Sequence, residues 1–215
     1  TMRWPVPQTD LSWKLEYLPH NNANHNVYVY KDKLYDGLFT RTLGWNGGDG
    51  VQTVALPDGN VFWSFNDSFY GKATGTSTRI RQSCNFPRNS IMVQTPGDDG
   101  LPGTKSTNFK WLAAWVQRSN ASGSGYYHAR THIRHPKGEK TDEQVKNGEI
   151  DQTYLYWAGD GTVVDGQLQV LWAGVYNGSS NLMQSDNRAL AIYSLEGTPG
   201  GSTYLKLVSV DHNFF

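Results

Sequence analysis

The stretches "GDGVQTVALPDGNVFWSF" (48–65) and "GDGTVVDGQLQVLWA" (159–173) share one order of parts. Each has Gly-Asp-Gly, a strand-like run, Asp-Gly, and a second run that contains tryptophan. Asp-Gly between two β patterns signals a tight hairpin, because both residues tolerate positive φ. In the second run of the first copy, Val61, Trp63 and Phe65 alternate and so share one face of a strand. The second copy is shorter between its aspartate and its hairpin, so the likeness is one of design and not of recent duplication.

Each copy opens a group of four strand-like runs. The first group covers 50–57, 60–67, 88–95 and 109–117; the second covers 161–164, 167–176, 188–196 and 203–210. Trp111, Ala114 and Trp115 also fall at helical spacing, but strand is the reading adopted for 109–117. Two four-stranded antiparallel meanders predict an all-β chain built from β-propeller blades. A β-sandwich made from the same strands is the competing fold. Two blades cannot close a ring, since propellers have at least ~4. The chain is therefore expected to be the N-terminal part of a propeller, with a second chain or further segment supplying the rest. Residues 1–215 are taken as one propeller-like domain: a strap over 1–43, a first blade over 44–118, an inserted loop over 119–150 and a second blade over 151–215.

Composition agrees with short strands and tight turns: among 215 residues there are 23 glycines, 8 tryptophans and 12 tyrosines. Lysine plus arginine equals aspartate plus glutamate at 19 each, which argues against a nucleic-acid partner. No apolar run approaches the ~20 residues that span a bilayer, so no membrane partner is expected. Cys84 is alone and excludes an intrachain disulfide scaffold. The basic stretch "HARTHIRHPKGEK" (128–140) reads as a solvated loop. Its His128, His132 and His135 would share a helix face, but the proline that follows removes the helix, so no metal is assigned. No cofactor is expected, and no EF-hand-like spacing supports calcium.

The segments "GWNGGDGVQTVALPDGNVFWSFNDSFYG" (44–71), "FPRNSIMVQ" (86–94) and "YLYWAGDGTVVDGQLQVLW" (154–172) together resemble a set of uncharacterised bacterial five-bladed propellers. That set is related to glycoside hydrolases of the arabinanase, levansucrase and invertase type. The resemblance implies a secreted or periplasmic protein that degrades polysaccharide at the mouth of a propeller funnel. It departs from the pattern at "FND", where relatives often have glycine before the aspartate. It also implies a general acid from outside this chain.

Glycoside hydrolysis needs two carboxyl groups flanking the scissile bond. Asp49 and Asp160, each between glycines, and Asp67, ending an apolar strand, are the candidate catalytic residues. Asp49 is read as nucleophile or general base, with Asp67 or Asp160 orienting it. If Asp49 and Asp67 lie close, their repulsion raises one pKa. Arg88 and Asn89 are candidates for substrate binding through their hydrogen-bonding groups. Trp45 and Trp157, each just ahead of a Gly-Asp-Gly, are candidates for stacking on a sugar. For each residue the competing reading is structural: turn aspartates, an ion pair between sheets, and tryptophans of the core. At the level of the whole chain, the rivals to a glycosidase are a glycan-binding propeller without turnover and a scaffold domain of a larger carbohydrate-active protein.

Overall fold

The Asp-Gly pairs form the hairpins their chemistry predicts. At Pro57-Asp58-Gly59, glycine takes φ 82° and the Asp58 carboxylate accepts from the Asn60 amide at 3.1 Å. At Asp165-Gly166 both residues take positive φ, 49° and 77°, the pairing of a type I′ turn. The computed structural model describes residues 14–18, 29–75, 78–118, 126–147, 149, 153–178, 183–198 and 204–215. Most of the strap's first residues, and 119–125, 148 and 150 of the expected inserted loop, lie outside this set.

Within it the chain runs through β1 (Leu15–Leu18), β2 (Val29–Asp32), helix α1 (Lys33–Phe39), β3 (Leu43–Gly48) and β4 (Gln52–Ala55). There follow β5 (Val61–Phe65), β6 (Ser68–Thr74), β7 (Ile80–Asn85), β8 (Ser90–Gln94), β9 (Phe109–Leu112), β10 (Trp115–Arg118) and β11 (Tyr126–Ala129). Helix α2 (Asp142–Lys146) precedes four longer strands: β12 (Tyr154–Val164), β13 (Gln167–Asn177), β14 (Met183–Leu195) and β15 (Leu205–Asp211). Helix α1 starts where the Asp32 carboxylate accepts from the amides of Leu34 and Tyr35, the usual satisfaction of orphan helix donors.

Two four-stranded antiparallel sheets dominate, in the orders β4-β5-β8-β9 and β12-β13-β14-β15. A three-stranded sheet β3-β6-β7 and the pairs β1-β2 and β10-β11 complete the described sheets. The first four-stranded sheet is covered on both faces, and every residue of β8 is buried. One face, through Phe62, Ile91 and Val93, meets Leu168, Val170, Trp172, Ala191 and Tyr193 of the second sheet. The other face, through Phe65 and Met92, packs with Trp45, Tyr70, Phe39 and Trp111. Each large apolar side chain removed from water here contributes about 1.5–3 kcal/mol.

The all-β class stands, but the propeller does not. The sheets are separate and open, and none closes on itself. The two Gly-Asp-Gly copies that suggested repeated blades are not equivalent in the chain's path. Gly48-Asp49-Gly50 carries the backbone out of β3 in one sheet toward β4 in another. Gly159-Asp160-Gly161 lies inside β12, where the register against β13 shifts between Ala158 and Gly161. The first group of strands is also not a continuous meander. Between β5 and β8 the chain leaves to form β6, which pairs with β3, and β7, which pairs with β6. With the propeller falls the fold-based argument for polysaccharide degradation.

Two local expectations also change. The run 109–117 is strand, but it breaks at Ala113–Ala114, so that β9 and β10 belong to different sheets. The stretch expected as a solvated loop is anchored: Thr131, Ile133 and His135 are buried on alternate positions. Asn89 holds it in the manner of a strand neighbour, donating to the Ile133 carbonyl and accepting from the Ile133 amide, both at 2.8 Å. Among the described residues no helix is long and apolar enough to cross a membrane.

Candidate active site

β3 and β6 pair as far as Gly48 opposite Ser68, while β5 pairs with β8 as far as Phe65 opposite Ser90. The residues just past those ends meet. The Asp49 amide donates to the Asp67 carbonyl at 3.2 Å, and the Asn66 amide donates to the Asp49 carbonyl at 2.9 Å. Two main-chain bonds therefore fix Asp49 and Asp67 as neighbours, independent of side-chain rotamers. Gly50 completes the crossing with φ 54°. A β-carbon there would overlap the Asn66 amide, so only glycine fits.

The second sheet reaches the pair through β12. The Ala158 amide donates to Asn66 Oδ1 at 2.7 Å, and the Trp157 indole N–H donates to Asp67 Oδ1 at 3.2 Å. The other Asp67 oxygen accepts from Arg88 Nη1 at 3.1 Å. These two side chains are 20% and 11% exposed, so their ion pair is shielded more than a surface pair would be. The Arg88 guanidinium also lies 4.6 Å from the centre of the Phe86 ring. Asp67 thus has both carboxylate oxygens engaged by fixed donors.

Asp49 differs. Its carboxyl pKa is raised, first by partial burial and second by the negative charge of Asp67, against the lowering effect of backbone hydrogen bonds. One carboxyl holds a proton more readily than usual beside another that accepts from arginine and tryptophan. Such an arrangement can deliver or take up a proton while a neighbouring negative charge stabilises a developing cation.

Of the other candidates, Trp157 is at this site as a donor to Asp67. Asp160 is solvent-exposed and accepts from the amide of its own neighbour Gly161 at 2.8 Å. Among the described residues no hydrogen bond or ion pair joins it to Asp49 or Asp67, and it lies at the β12 irregularity between Ala158 and Gly161. Trp45 is 4% exposed and stacks on Trp111 at 4.5 Å, so it belongs to the core and offers no face to a sugar. Asn89 is fully buried, and its amide bonds Ile133 on both sides and the Tyr156 carbonyl. It has no donor left for a ligand. Asn66 was passed over as a departure from the family pattern, yet it ties three parts of the site together. Its position directly before Asp67 was the available signal. Among the described residues, no group of three or more His, Cys, Asp or Glu side chains is placed to hold a metal ion.

Residues 32–214 match the family described as Domain of unknown function (DUF5005), and the chain belongs to that family. This replaces the membership suggested by likeness to the propeller glycosidases. A solved structure from Bacteroides ovatus ATCC 8483, described as a "putative hydrolase", is similar to the chain at 54% sequence identity with a TM-score of 0.82. The match covers 98% of this chain and 50% of that one, so the chain spans about half the length of that relative. No curated protein matches the chain.

Proposed function

We propose that this chain is part of a hydrolase whose chemistry is carried by Asp49 and Asp67. The observation that carries the reading is the main-chain lock between the two residues, which sets a carboxyl of raised pKa beside one engaged by Arg88 and Trp157. The description of the Bacteroides ovatus relative supports the hydrolytic class. The finer reading is cleavage of an O-glycosidic bond. It rests on the carboxyl pair itself, because that reaction needs one group to protonate the leaving oxygen and another to attack or to stabilise positive charge. Asp49, with its raised pKa, is the acid. This reverses the nucleophilic role its place in the sequence suggested. Asp67 is the carboxylate that faces the developing oxocarbenium charge.

The test is turnover of oligosaccharides with unactivated glycosidic bonds, and of nitrophenyl esters and phosphates, by wild type, Asp49→Asn and Asp67→Asn. The proposal expects glycoside turnover that falls by about 10²-fold or more in each variant, the usual worth of a positioned acid or base. Hydrolysis confined to esters or phosphates would replace the glycosidic reading with another hydrolase class. Turnover that survives both substitutions would remove the pair from the chemistry.

A further inference from the structure

Beside the carboxyl pair, two phenyl rings lie in a row between two guanidinium groups. Arg88 lies 4.6 Å from the Phe86 ring, Phe86 and Phe69 are 4.6 Å apart between centroids, and Arg81 lies 4.3 Å over Phe69. The inner end of the row is tied to Asp67 through Arg88. The outer end is held differently. Arg81 donates its Nε–H to the buried Asn46 Oδ1 at 3.1 Å, and its guanidinium fills the space left by the missing side chain of Gly47. Gly47 stands two residues before Asp49 and opposite Phe69 in the β3–β6 register.

Arg81 is thus fixed at its Nε edge and on its stacked face, yet it is exposed to solvent. Among the described residues no carboxylate pairs with it. A guanidinium held over a ring and by a hydrogen bond at Nε has lost much of its rotamer freedom, and its remaining edge is shaped for a two-oxygen anion. Arg88 is paired with Asp67, whereas Arg81 brings a positive charge that no described carboxylate neutralises.

We infer that Arg81 is a specificity-determining residue that receives an anionic substituent, a carboxylate or a sulfate ester, on the sugar bound at Asp49 and Asp67. This rests on the glycosidic reading above. The substrate class is therefore an acidic glycoside.

Calorimetric binding tests it with probes that differ in one charge at a time. Digalacturonic acid is compared with its dimethyl ester, and galactose 6-sulfate with galactose, on wild type, Arg81→Gln and Arg81→Lys. The free acid, the sulfate, or both should bind wild type about ten-fold tighter than the neutral partner, the scale of one charge-assisted hydrogen bond. The gap should shrink with added salt, close in Arg81→Gln and persist in part in Arg81→Lys. Which anion shows the gap identifies the source of the charge. Equal binding of charged and neutral probes to wild type, no binding of either, or a gap unchanged in Arg81→Gln would overturn the inference. The wild-type comparison stands even if Arg81→Gln fails to fold. Turnover is scored separately. Preference for the anion without turnover retains the Arg81 site and overturns the hydrolytic reading, while turnover without preference does the reverse.

Discussion

Asp49 and Asp67 are joined by main chain and not by side chain: the Asp49 amide reaches the Asp67 carbonyl at 3.2 Å, and the Asn66 amide returns to the Asp49 carbonyl at 2.9 Å. Backbone geometry of this kind does not relax when a carboxyl changes its charge. The charge of Asp67 therefore adds to partial burial in raising the Asp49 pKa. Trp157 and Ala158 of β12 then bring the second sheet onto the same two-residue turn.

Because β12 grips the turn through Asn66 and Trp157, weakening either contact should lower stability by an amount set by the hydrogen bond removed. Asn66→Ala leaves the Ala158 amide without its acceptor and should cost about 1–3 kcal/mol. Trp157→Phe keeps a ring but loses the donor to Asp67, and should cost about 1–2 kcal/mol. Urea unfolding of the two variants beside wild type measures both. Changes within experimental scatter of zero would mean that β12 does not hold the turn.

A second link between the sheets runs through Tyr204, which is 2% exposed. Its hydroxyl donates to Asp58 and accepts from Asn60 Nδ2 at 3.2 Å. Burial alone would raise the Asp58 pKa, but the hydrogen bonds from Tyr204 and Asn60 outweigh it and the net shift is downward. A carboxyl with a depressed folded pKa stabilises the fold above its unfolded value, and that stability is lost as pH falls through the folded one. Tyr204→Phe should cost about 1–3 kcal/mol at neutral pH. The difference from wild type should narrow in acid, read as melting temperature from pH 7 down to pH 2. A constant difference across that range would contradict the assignment.

The strands themselves were largely legible in the sequence. The Asp58-Gly59 and Asp165-Gly166 hairpins, and the alternation of Val61, Trp63 and Phe65, report local chemistry, which the sequence carries directly. What it did not carry is how the same letters are used in different settings. Gly-Asp-Gly serves once as a crossing between sheets and once as a bulge within a strand, and nothing local separates the two. β6 (SFYGKAT) and β7 (IRQSCN) carry too short and mixed an apolar pattern to mark their excursion between β5 and β8. Thr131, Ile133 and His135 alternate as a buried strand would, but two of the three are polar. Their burial depends on Asn89, 44 residues from Ile133. Of the candidates, Asp49, Asp67, Arg88 and Trp157 are neighbours in the structure; Asp49 and Trp157 stood out beside Gly-Asp-Gly, Asp67 at the end of an apolar strand and Arg88 in Pro-Arg-Asn-Ser. Trp45 and Asn89 were misread because packing partners decide whether an indole or an amide faces a ligand.

His132 gives a pH dependence of the opposite kind of group. Its Nε2 lies 2.9 Å from the Tyr193 hydroxyl, and burial pushes the imidazole down from 6.5 to about 4. A histidine kept neutral in the fold contributes full stability above its unfolded pKa. That contribution is lost as pH falls toward and through about 4. His132→Gln retains a hydrogen-bonding group for Tyr193 without a titrating ring. Thermal unfolding from pH 7 to pH 4 should therefore show a shallower decline in the variant than in wild type. An identical decline would place the acid sensitivity elsewhere.

The central claim is that Asp49 and Asp67 form a coupled carboxyl pair, and carbon-13 NMR titration of the Asp49 carboxyl tests it most directly. In wild type Asp49 should titrate above the ordinary aspartate value of 3.8, because partial burial and the Asp67 charge both raise it. In Asp67→Asn the repulsion is gone, so the midpoint should move down. An Asp49 that titrates at the ordinary value in wild type, or whose midpoint does not move in Asp67→Asn, would contradict the pair and the acid role built on it.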